Sequence, residues 1–440
     1  MKPFLLRAVL LAPLSLSLCA GAQDAPAPAP PAAPHPGPVA DALQSAGKEL
    51  GAYFSPRANP AQTLANFNDF IYSPETTRKL VTVFGTSHPL IVQQLPAPKN
   101  KLKFSMRTPP WRFTDSDGTR VDAAPLAIDY DLDRAGTTLA ATGRWPSLEV
   151  AGVTGIAAMH DTRLQARRRR GADGYWYGDT RVTTAGARIE IKPGDAAVEF
   201  TGISLDADVR PRGKLADFRY DVAIKTIAAA GEQVDDFHLG LRINRLDLKA
   251  MTDMALDLQT HQAVDATPQQ QLAALKAPLR ALARQAVTNG TSIDIDDFSA
   301  RYHGYIARVT GHVGLAGATV GDADSLGLLV KKIVAHFEVA IPLALFKNVG
   351  ARVDAKIAEG QAAAGKPAPA GAPGFADVIL GNMVNQGYVR VEKDVLRSTI
   401  DFAGGALRVN GKSIGKTDGS APASPPAQLA PPAAPADGNN

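Results

Sequence analysis

Four consecutive arginines, Arg167 to Arg170, stand a few residues before the aromatic pair Tyr175 and Trp176. Guanidinium groups donate paired hydrogen bonds to carboxylates and phosphates, and aromatic rings can add cation–π contacts. The run could therefore bind an anionic lipid headgroup, a polyanionic glycan or nucleic acid. Runs of like charge more often lie on solvated surface. The sequence favours that second interpretation, the end of a hairpin beside an aromatic strand.

Other groups with possible chemistry are scattered. The eight histidines include His303 and His312, nine residues apart, and none has the H-x-x-x-H or H-E-x-x-H spacing of a metal site. Asp115 to Gly118 and Asp294 to Asp297 approach a calcium loop without its later glycine and acidic positions, so we interpret them as a turn and a strand with a polar face. The sequence predicts no metal and no cofactor.

Catalytic motifs are also lacking. The chain has no G-x-S-x-G nucleophile elbow, no P-loop and no dinucleotide fingerprint in a strand-turn-helix context. We therefore predict a protein that is not an enzyme. A hydrolase whose site is assembled from distant residues remains a third-ranked alternative.

Composition limits the partners. The 440 residues carry 47 basic and 43 acidic side chains, a net charge of +4 that does not predict a nucleic-acid partner. After residue 20 no stretch approaches the roughly 18 uninterrupted apolar residues of a spanning helix. We expect a soluble body large enough to bury its own core.

The N-terminus predicts export. Lys2 and Arg7 form a positive n-region, residues 8–18 form a short apolar segment, and Ala20 and Ala22 supply small residues at the cleavage positions. Residues 1–22 are thus predicted to be a cleaved signal peptide. The expected location is the periplasm.

A lipoprotein is the alternative. Leu16 to Cys19 resembles a lipobox, in which Cys19 would be acylated after cleavage, but Leu18 occupies a slot that ordinarily holds a small residue. Cys19 is the sole cysteine, so cleavage after Ala22 would leave a mature chain without disulfides or cysteine-based metal sites. Membrane association stays open between these two alternatives.

Pro- and Ala-rich tracts divide the chain. Residues 23–40 are predicted to be a linker and residues 415–440 a disordered tail, with a third tract at 360–373. Residues 41–100 are predicted to be weakly helical, with a helix from Asp41 to Phe54.

From residue 101 to 414 the periodicity predicts an α+β, β-rich domain. Apolar side chains recur at every second position between glycine-containing turns, which is typical of a long, curved antiparallel meander. Packing helices are predicted near 248–288, 342–358 and 375–386. The clearest alternating runs are Leu102/Phe104/Met106, Leu126/Ile128/Tyr130/Leu132, Ile189/Ile191, Val198/Phe200, Leu205/Ala207/Val209, Phe218/Tyr220/Val222/Ile224 and Leu239/Leu241/Ile243.

Two segments carry a family resemblance. They are 198–205, with its continuation 221–227, and 395–402, leading into 405–412 with its Asn410-Gly411 step. The chain resembles the YdgA family of bacterial envelope proteins, a domain of unknown function, over about 101–412. The resemblance implies a β-rich domain that closes on a strand, a glycine turn and an Asn-Gly step, and it implies no catalytic residues. Many members carry an N-terminal membrane anchor followed directly by strand sequence, whereas here a cleavable signal, a spacer and a helical segment come first.

A sheet with one apolar face must cover that face by closing on itself, by packing helices, or by holding an amphiphile. The sequence leaves these three solutions open. The predicted function is an exported, non-enzymatic envelope protein that binds a lipid or another amphiphile in a β-sheet groove. The alternative is a structural or assembly protein that binds another envelope protein through its sheet edges.

Overall fold

The computed structural model describes residues 37–53, 59–192, 196–261, 268–363 and 374–414. The predicted signal peptide with Cys19, Ala20 and Ala22, most of the predicted linker, and the predicted tail lie outside the described residues.

The N-terminal segment is helical. It contains α1 (Pro38–Tyr53), α2 (Pro60–Ala65), a 3₁₀ turn (Phe67–Asp69) and α3 (Pro74–Phe84). Each α-helix begins at a proline, which suits the first turn because that position needs no N–H donor. The predicted linker boundary at residue 40 is therefore wrong, since α1 already includes Pro38 to Ala40. Asn59 and Ser73 cap α2 and α3, accepting hydrogen bonds from the amides of Ala61 and Thr76.

Strands dominate the next part. They are β1 (Ile91–Leu95), β2 (Lys101–Arg107), β3 (Trp111–Thr114), β4 (Arg120–Ala123), β5 (Ala127–Asp133), β6 (Thr138–Gly152), β7 (Gly155–Arg170), β8 (Trp176–Ile191), β9 (Ala196–Arg212), β10 (Leu215–Ala229) and β11 (Glu232–Leu246). Between β5 and β8, the strands β6 and β7 have no clear alternating run in the sequence. A proline interrupts β6 and the arginine run ends β7, which obscures the period of two.

Helices and strands alternate in the remainder. They are α4 (Leu248–His261), α5 (Pro268–Asn289), β12 (Ser292–Tyr302), β13 (Tyr305–Leu315), a 3₁₀ turn (Val320–Asp324), α6 (Leu326–Val330), β14 (Ile333–Pro342), α7 (Leu343–Ala363), α8 (Phe375–Asn385), β15 (Arg390–Glu392), β16 (Val395–Ala403), β17 (Ala406–Val409) and β18 (Lys412–Ile414). The helix predicted from 342 to 358 instead begins one residue later and runs to Ala363. The third Pro- and Ala-rich tract, 360–373, has a composition that predicts a loop or disorder, and this prediction is wrong for residues 360–363, because a single glycine near a helix end does not stop the helix.

All these strands belong to one antiparallel sheet, which confirms the predicted fold class. From β5 to β14 each strand pairs with the next one in the chain. At the start β1 pairs with β2 and β2 with β5, while β3 and β4 form a hairpin attached to β6. At the end β14 pairs with β16, which also carries β15 and the β17–β18 hairpin.

A line of irregular residues crosses six neighbouring strands, β6 to β11. Asp161, Gly202 and Asp236 on alternate strands have φ of 48°, 62° and 48°. The register places them level with the remaining members of this bend line, Pro146, Ala185 and Lys225. Irregularities of this kind bend strands and increase their twist.

Apolar positions shift phase at the bend line. Along a strand, apolar residues of one face normally recur at every second position. Across the bend line, the last apolar residue on one side and the first on the other are three positions apart, as in Phe200/Ile203, Ile224/Ile227 and Val234/Phe237. The runs Val198/Phe200 and Leu205/Ala207/Val209, which are separate in the sequence, therefore belong to the single strand β9.

Buried hydrophobic clusters pack helices against different parts of the sheet. One packs α2 and the first 3₁₀ turn onto β1, β2 and β5, around Phe104 and Leu132. Another packs α4 and α5 onto β9 to β11, around Ala216 and Phe218. These cores fix the helices to the sheet.

Candidate ligand-binding face

The register of the sheet assembles apolar side chains on one face, here called the inner face. Its residues form rows that cross the strands from β7 to β16. The end row is Arg168, Gly178, Val209, Phe218, Ile243, Ile293, Val313, Ala335 and Phe402. The second row is Ala166, Thr180, Ala207, Tyr220, Leu241, Ile295, Gly311, Phe337 and Ile400, and the central row is Leu164, Val182, Leu205, Val222, Leu239, Phe298, Val309, Val339 and Ser398.

The central row is apolar and only partly covered. None of its members is buried, and Phe298 is 44% exposed, compared with 1% for Phe104 in the core. None belongs to a buried hydrophobic cluster of the described residues. Each square ångström of apolar surface left in water forgoes about 25 cal/mol. A line of partly exposed, mainly apolar side chains is a candidate binding surface.

Helices lie at both ends of these strands. At the end row, Leu248 and Met251 of α4 and Leu282 of α5 pack near Phe218. At the opposite end, Arg352 of α7 forms an ion pair with Glu232, and its guanidinium lies 5.5 Å from the ring centre of Tyr302. The contacts described for α4, α5 and α7 thus include both ends of these strands, and the central row lies between those contacts.

Two contacts made by phenylalanine rings shape the inner face. The ring of Phe337 lies over Gly311, where a Cβ would come within 2.2 Å of the ring. Phe237 and Phe298 meet edge to face, with ring centres 5.8 Å apart. A side chain larger than glycine at 311 would push Phe337 away from the sheet, so this glycine keeps the second row shallow.

Charged residues occupy the opposite, outer face. Arg219 and His238 contact Asp221 at 2.7 and 3.2 Å, and Arg308 contacts Asp297 at 3.0 Å. Burial alone would raise the pKa of Asp221, but hydrogen bonds from Arg219 and His238 lower it. The outer face thus carries ion pairs, whereas the rows of the inner face are mainly apolar.

The outer face also brings a serine, a histidine and two carboxylates together, which the sequence gave no signal for. His238 contacts Asp297 through Nδ1 at 3.0 Å and Asp221 through Nε2 at 3.2 Å. The Ser299 hydroxyl donates to Asp297 at 3.1 Å. Since both imidazole nitrogens face carboxylates, His238 is not placed to take a proton from Ser299. The geometry is that of an ion-pair network and differs from a catalytic triad.

The arginine run is divided between the two faces. It forms the last four residues of β7, where successive side chains point to opposite sides. Arg167 and Arg169 are exposed on the outer side, whereas Arg168 and Arg170 are half-buried. Arg168 lies in the end row and donates to the Thr180 hydroxyl from Nη2 at 2.6 Å and from Nε at 3.1 Å.

The aromatic partners predicted for this run have structural contacts. Trp176 lies opposite Arg170 in the register, and Arg170 donates to the Gly174 carbonyl at 3.2 Å. Tyr175 packs against the core around Phe218. The next residue, Tyr177, is buried there and donates from its hydroxyl to Asp173. Arg167 to Arg170 with Tyr175 and Trp176 therefore do not form one continuous surface.

The remaining candidate residues lie where the periodicity placed them. Asp115 to Gly118 connects β3 to β4, and Asp117 accepts a hydrogen bond from the Thr119 amide at 2.8 Å. Asp294 to Asp297 lies within β12. Within the described residues no group of three or more histidine, cysteine or acidic side chains is placed to hold a metal ion. Of the helices in the same ranges, none combines the length and the hydropathy needed to cross a membrane.

The fold and the two faces of the sheet together define the class of this protein. It is an antiparallel β-sheet protein whose long central strands carry charged residues on one face and mainly apolar residues on the other. The chain belongs to a family of bacterial proteins of unknown function, DUF945, whose family model matches residues 60–415. Searches of the curated proteins and of the solved structures returned no significant match. The family match begins before residue 101, so it includes α2, α3 and β1, which the predicted β-rich domain left out.

Proposed function

We propose that this chain is an exported bacterial envelope protein that binds a lipid or another amphiphile on its inner face and catalyses no reaction. The observation that carries the proposal is the central row, a line of half-exposed apolar side chains crossing the sheet. Leaving this surface in water is unfavourable, whereas a hydrocarbon chain laid along it would gain burial at about 0.8 kcal/mol per CH₂.

The length of the row suits an acyl chain. Strands in a sheet lie about 4.8 Å apart, so the eight strands from β7 to β14 span roughly 34 Å. A bilayer core about 30 Å thick holds two chains end to end. One lipid chain would therefore fit along the row with its whole length in contact with apolar side chains.

Adjacent residues on β9 provide a matched test. Leu205 belongs to the central row, while Ser204 points to the outer face between Thr183 and Ala223. We expect the wild type, gently extracted from its native host, to carry an acyl species visible by mass spectrometry and to take up a fluorescent fatty acid. Leu205→Asp should abolish the uptake and Ser204→Asp should preserve it, with circular dichroism confirming that both variants are folded.

Two results would refute the proposal. If the extracted wild type carried no acyl species and took up no fatty acid, the inner face would have to be covered in another way. Equal loss of uptake in both variants would also remove the assignment to this face.

Export is part of the proposal and rests on the signal-like N-terminus. The periplasm is the expected compartment, with cleavage after Ala22; the alternative is a lipoprotein acylated at Cys19. Mass spectrometry of the mature N-terminus separates them, because one product begins after Ala22 and the other at a modified Cys19. The narrower grouping with YdgA-type proteins, drawn from segments 198–205 and 395–412, belongs to this proposal as well.

The sheet edges favour a second candidate, a structural or assembly protein that binds another envelope protein. Among the described strands, β1 pairs only with β2 and β18 only with β17. Such edges offer free backbone groups to an added strand. Crosslinking in intact cells would support this candidate by giving a stoichiometric protein adduct.

A hydrolase is the third candidate. It would be supported by an activity found in a screen of esters and glycans and abolished by a single Ser, Asp or Glu substitution.

A further inference from the structure

The inner face carries one charged side chain in its three rows. Within these rows, all of which lie in the described part of the chain, every residue other than Arg168 is apolar, glycine or an uncharged polar residue. A charge on a hydrocarbon face is costly unless it has a role or a partner. Arg168 therefore needs a physical explanation.

Arg168 forms no ion pair among the described residues, although more distant attraction from Asp179 and Asp208 partly opposes the effect of burial on its pKa. Its guanidinium donates to the neutral hydroxyl of Thr180, and no carboxylate of the described residues is within salt-bridge distance. Outer-face arginines on neighbouring strands differ, since Arg188 pairs with Glu190 at 2.9 Å and Arg210 with Asp208 at 2.6 Å. Burial lowers the pKa of Arg168, which reflects the cost of its position.

A cavity of about 370 Å³ adjoins Arg168 at the ends of the strands. Residues from both faces line it, and its charged groups are Lys101, Arg167, Arg168 and Arg169 against Asp131 alone. Lys101 contacts Asp131 at 3.2 Å, which leaves the three arginines without a carboxylate in the cavity. The cavity is therefore electropositive.

A second cavity on the far side of the bend line provides the contrast. It measures about 650 Å³, and its lining balances Arg112 and Arg120 with Asp122 and Glu149. Both arginines contact Asp122. The positive excess is thus a property of the cavity beside Arg168 and is not shared by both hollows.

We infer that the ligand of the inner face is an anionic amphiphile, whose carboxylate or phosphate headgroup is bound by Arg168 while its chain lies along the apolar rows. This inference rests on the proposed function. A guanidinium suits such a headgroup, since it donates paired hydrogen bonds to two oxygens. Thr180 holds the guanidinium at the junction between the cavity and the apolar rows.

The test compares a dansyl-labelled undecanoic acid with its methyl ester, which keeps the chain and removes the charge. The wild type should bind the acid about tenfold or more tightly than the ester, the usual worth of one charge-assisted hydrogen bond. Arg168→Gln should bind the acid as weakly as the ester, with ester binding unchanged. Arg163→Gln removes the same charge from the outer side of the same strand, outside the lining of the cavity, and should behave as the wild type.

Each other result counts against the inference in its own way. Equal binding of acid and ester by the wild type, or an unchanged preference in Arg168→Gln, would overturn the role of Arg168 and leave amphiphile binding standing. An equal loss in Arg163→Gln would attribute the preference to general positive charge. Binding of neither probe would remove the proposed function itself. Displacement of the acid by sodium acetate would show that a chainless anion is the ligand and would also overturn the inference.

Arg168→Lys provides a second test in case Arg168→Gln does not fold. It keeps the charge and should retain a preference for the acid, though smaller, because an ammonium cannot donate in the paired geometry. If Arg168→Gln failed to fold, a full preference for the acid in Arg168→Lys would still contradict the paired hydrogen bonds that the inference requires.

Discussion

Gly202 of β9 lies opposite Lys225 of β10 on the bend line, and its φ of 62° would place an added Cβ 3.0 Å from the Lys225 Cβ. Both the backbone conformation and the space favour glycine at this position. We expect Gly202→Ala to lower the free energy of unfolding by about 1–2 kcal/mol, the usual cost of a left-handed backbone for a residue with a Cβ. Urea denaturation measures this difference.

The control for Gly202 is Gly47 in α1, where an added Cβ would have nothing within 4 Å. Gly47→Ala should raise the free energy of unfolding by about 0.5–1 kcal/mol, because alanine is the better helix former. A Gly202→Ala variant as stable as the wild type would show that the bend line tolerates an ordinary residue.

Phe298 should matter for binding more than for folding. It is 44% exposed, whereas Phe104 is 1% exposed in the core. We expect Phe104→Ala to cost about 3–5 kcal/mol in unfolding free energy, and Phe298→Ala clearly less because its ring already contacts water. Uptake of a fluorescent fatty acid should fall in Phe298→Ala. Similar destabilisation by the two substitutions would mean that the inner face is a sealed core.

Asn410 closes the C-terminal hairpin through its side chain. Its φ is 48°, its side-chain oxygen accepts from the Thr399 amide at 2.9 Å, and its side-chain nitrogen donates to the Gly387 carbonyl at 3.2 Å. Asn410→Ala should lower the unfolding free energy by about 1–3 kcal/mol, because two polar partners lose their bonds. Asn410→Gly loses the same bonds and relieves the backbone, so it should be about 1 kcal/mol more stable than Asn410→Ala. Equal stability of the two variants in urea titrations would contradict the backbone part of this argument.

The ion pair between α7 and β11 predicts that the stability of the folded state falls at acidic pH. Hydrogen bonds from Arg352 and then Tyr302 lower the pKa of Glu232 from 4.5 to about 2. A carboxylate whose pKa is lowered by folding stabilises the folded state above its unfolded pKa and loses this effect as the pH falls through the folded value. We expect wild type to exceed Glu232→Gln in melting temperature at pH 7. The difference should shrink progressively below 4.5 and vanish near 2, the two pKa values that bound the window.

A matched variant checks that assignment. Glu338, exposed on β14, contacts His336 at 3.8 Å and has no contact with α7 among its ion pairs in the described residues. Glu338→Gln should therefore leave the melting temperature nearly unchanged over the same range of pH, since exposed ion pairs are worth little. An equal response in both variants would show that general charge, and not the Arg352 contact, sets the acid dependence.

Local patterns in the sequence determined much of the fold. Alternation of apolar residues predicted the antiparallel sheet, since successive side chains on a strand point to opposite faces. Helix-forming segments and the proline and glycine positions predicted α4, α5, α7 and α8 to within a few residues. The predicted export signal is likewise a local pattern, and its interpretation still depends on residues 1–22 alone.

Tertiary structure decided what periodicity cannot encode. A phase shift such as Phe200 to Ile203 resembles a break between strands until the neighbouring strands show that β9 continues through it. In the sequence the arginine run resembles one patch. Because successive side chains of a strand point to opposite faces, Arg168 lies on the inner face and Arg167 on the outer face. The partners of these residues come from distant parts of the chain. Only the register of the sheet brings Arg168 to Thr180, or aligns Leu205 with Val222, because cross-strand neighbours are fixed by pairing and not by order along the chain.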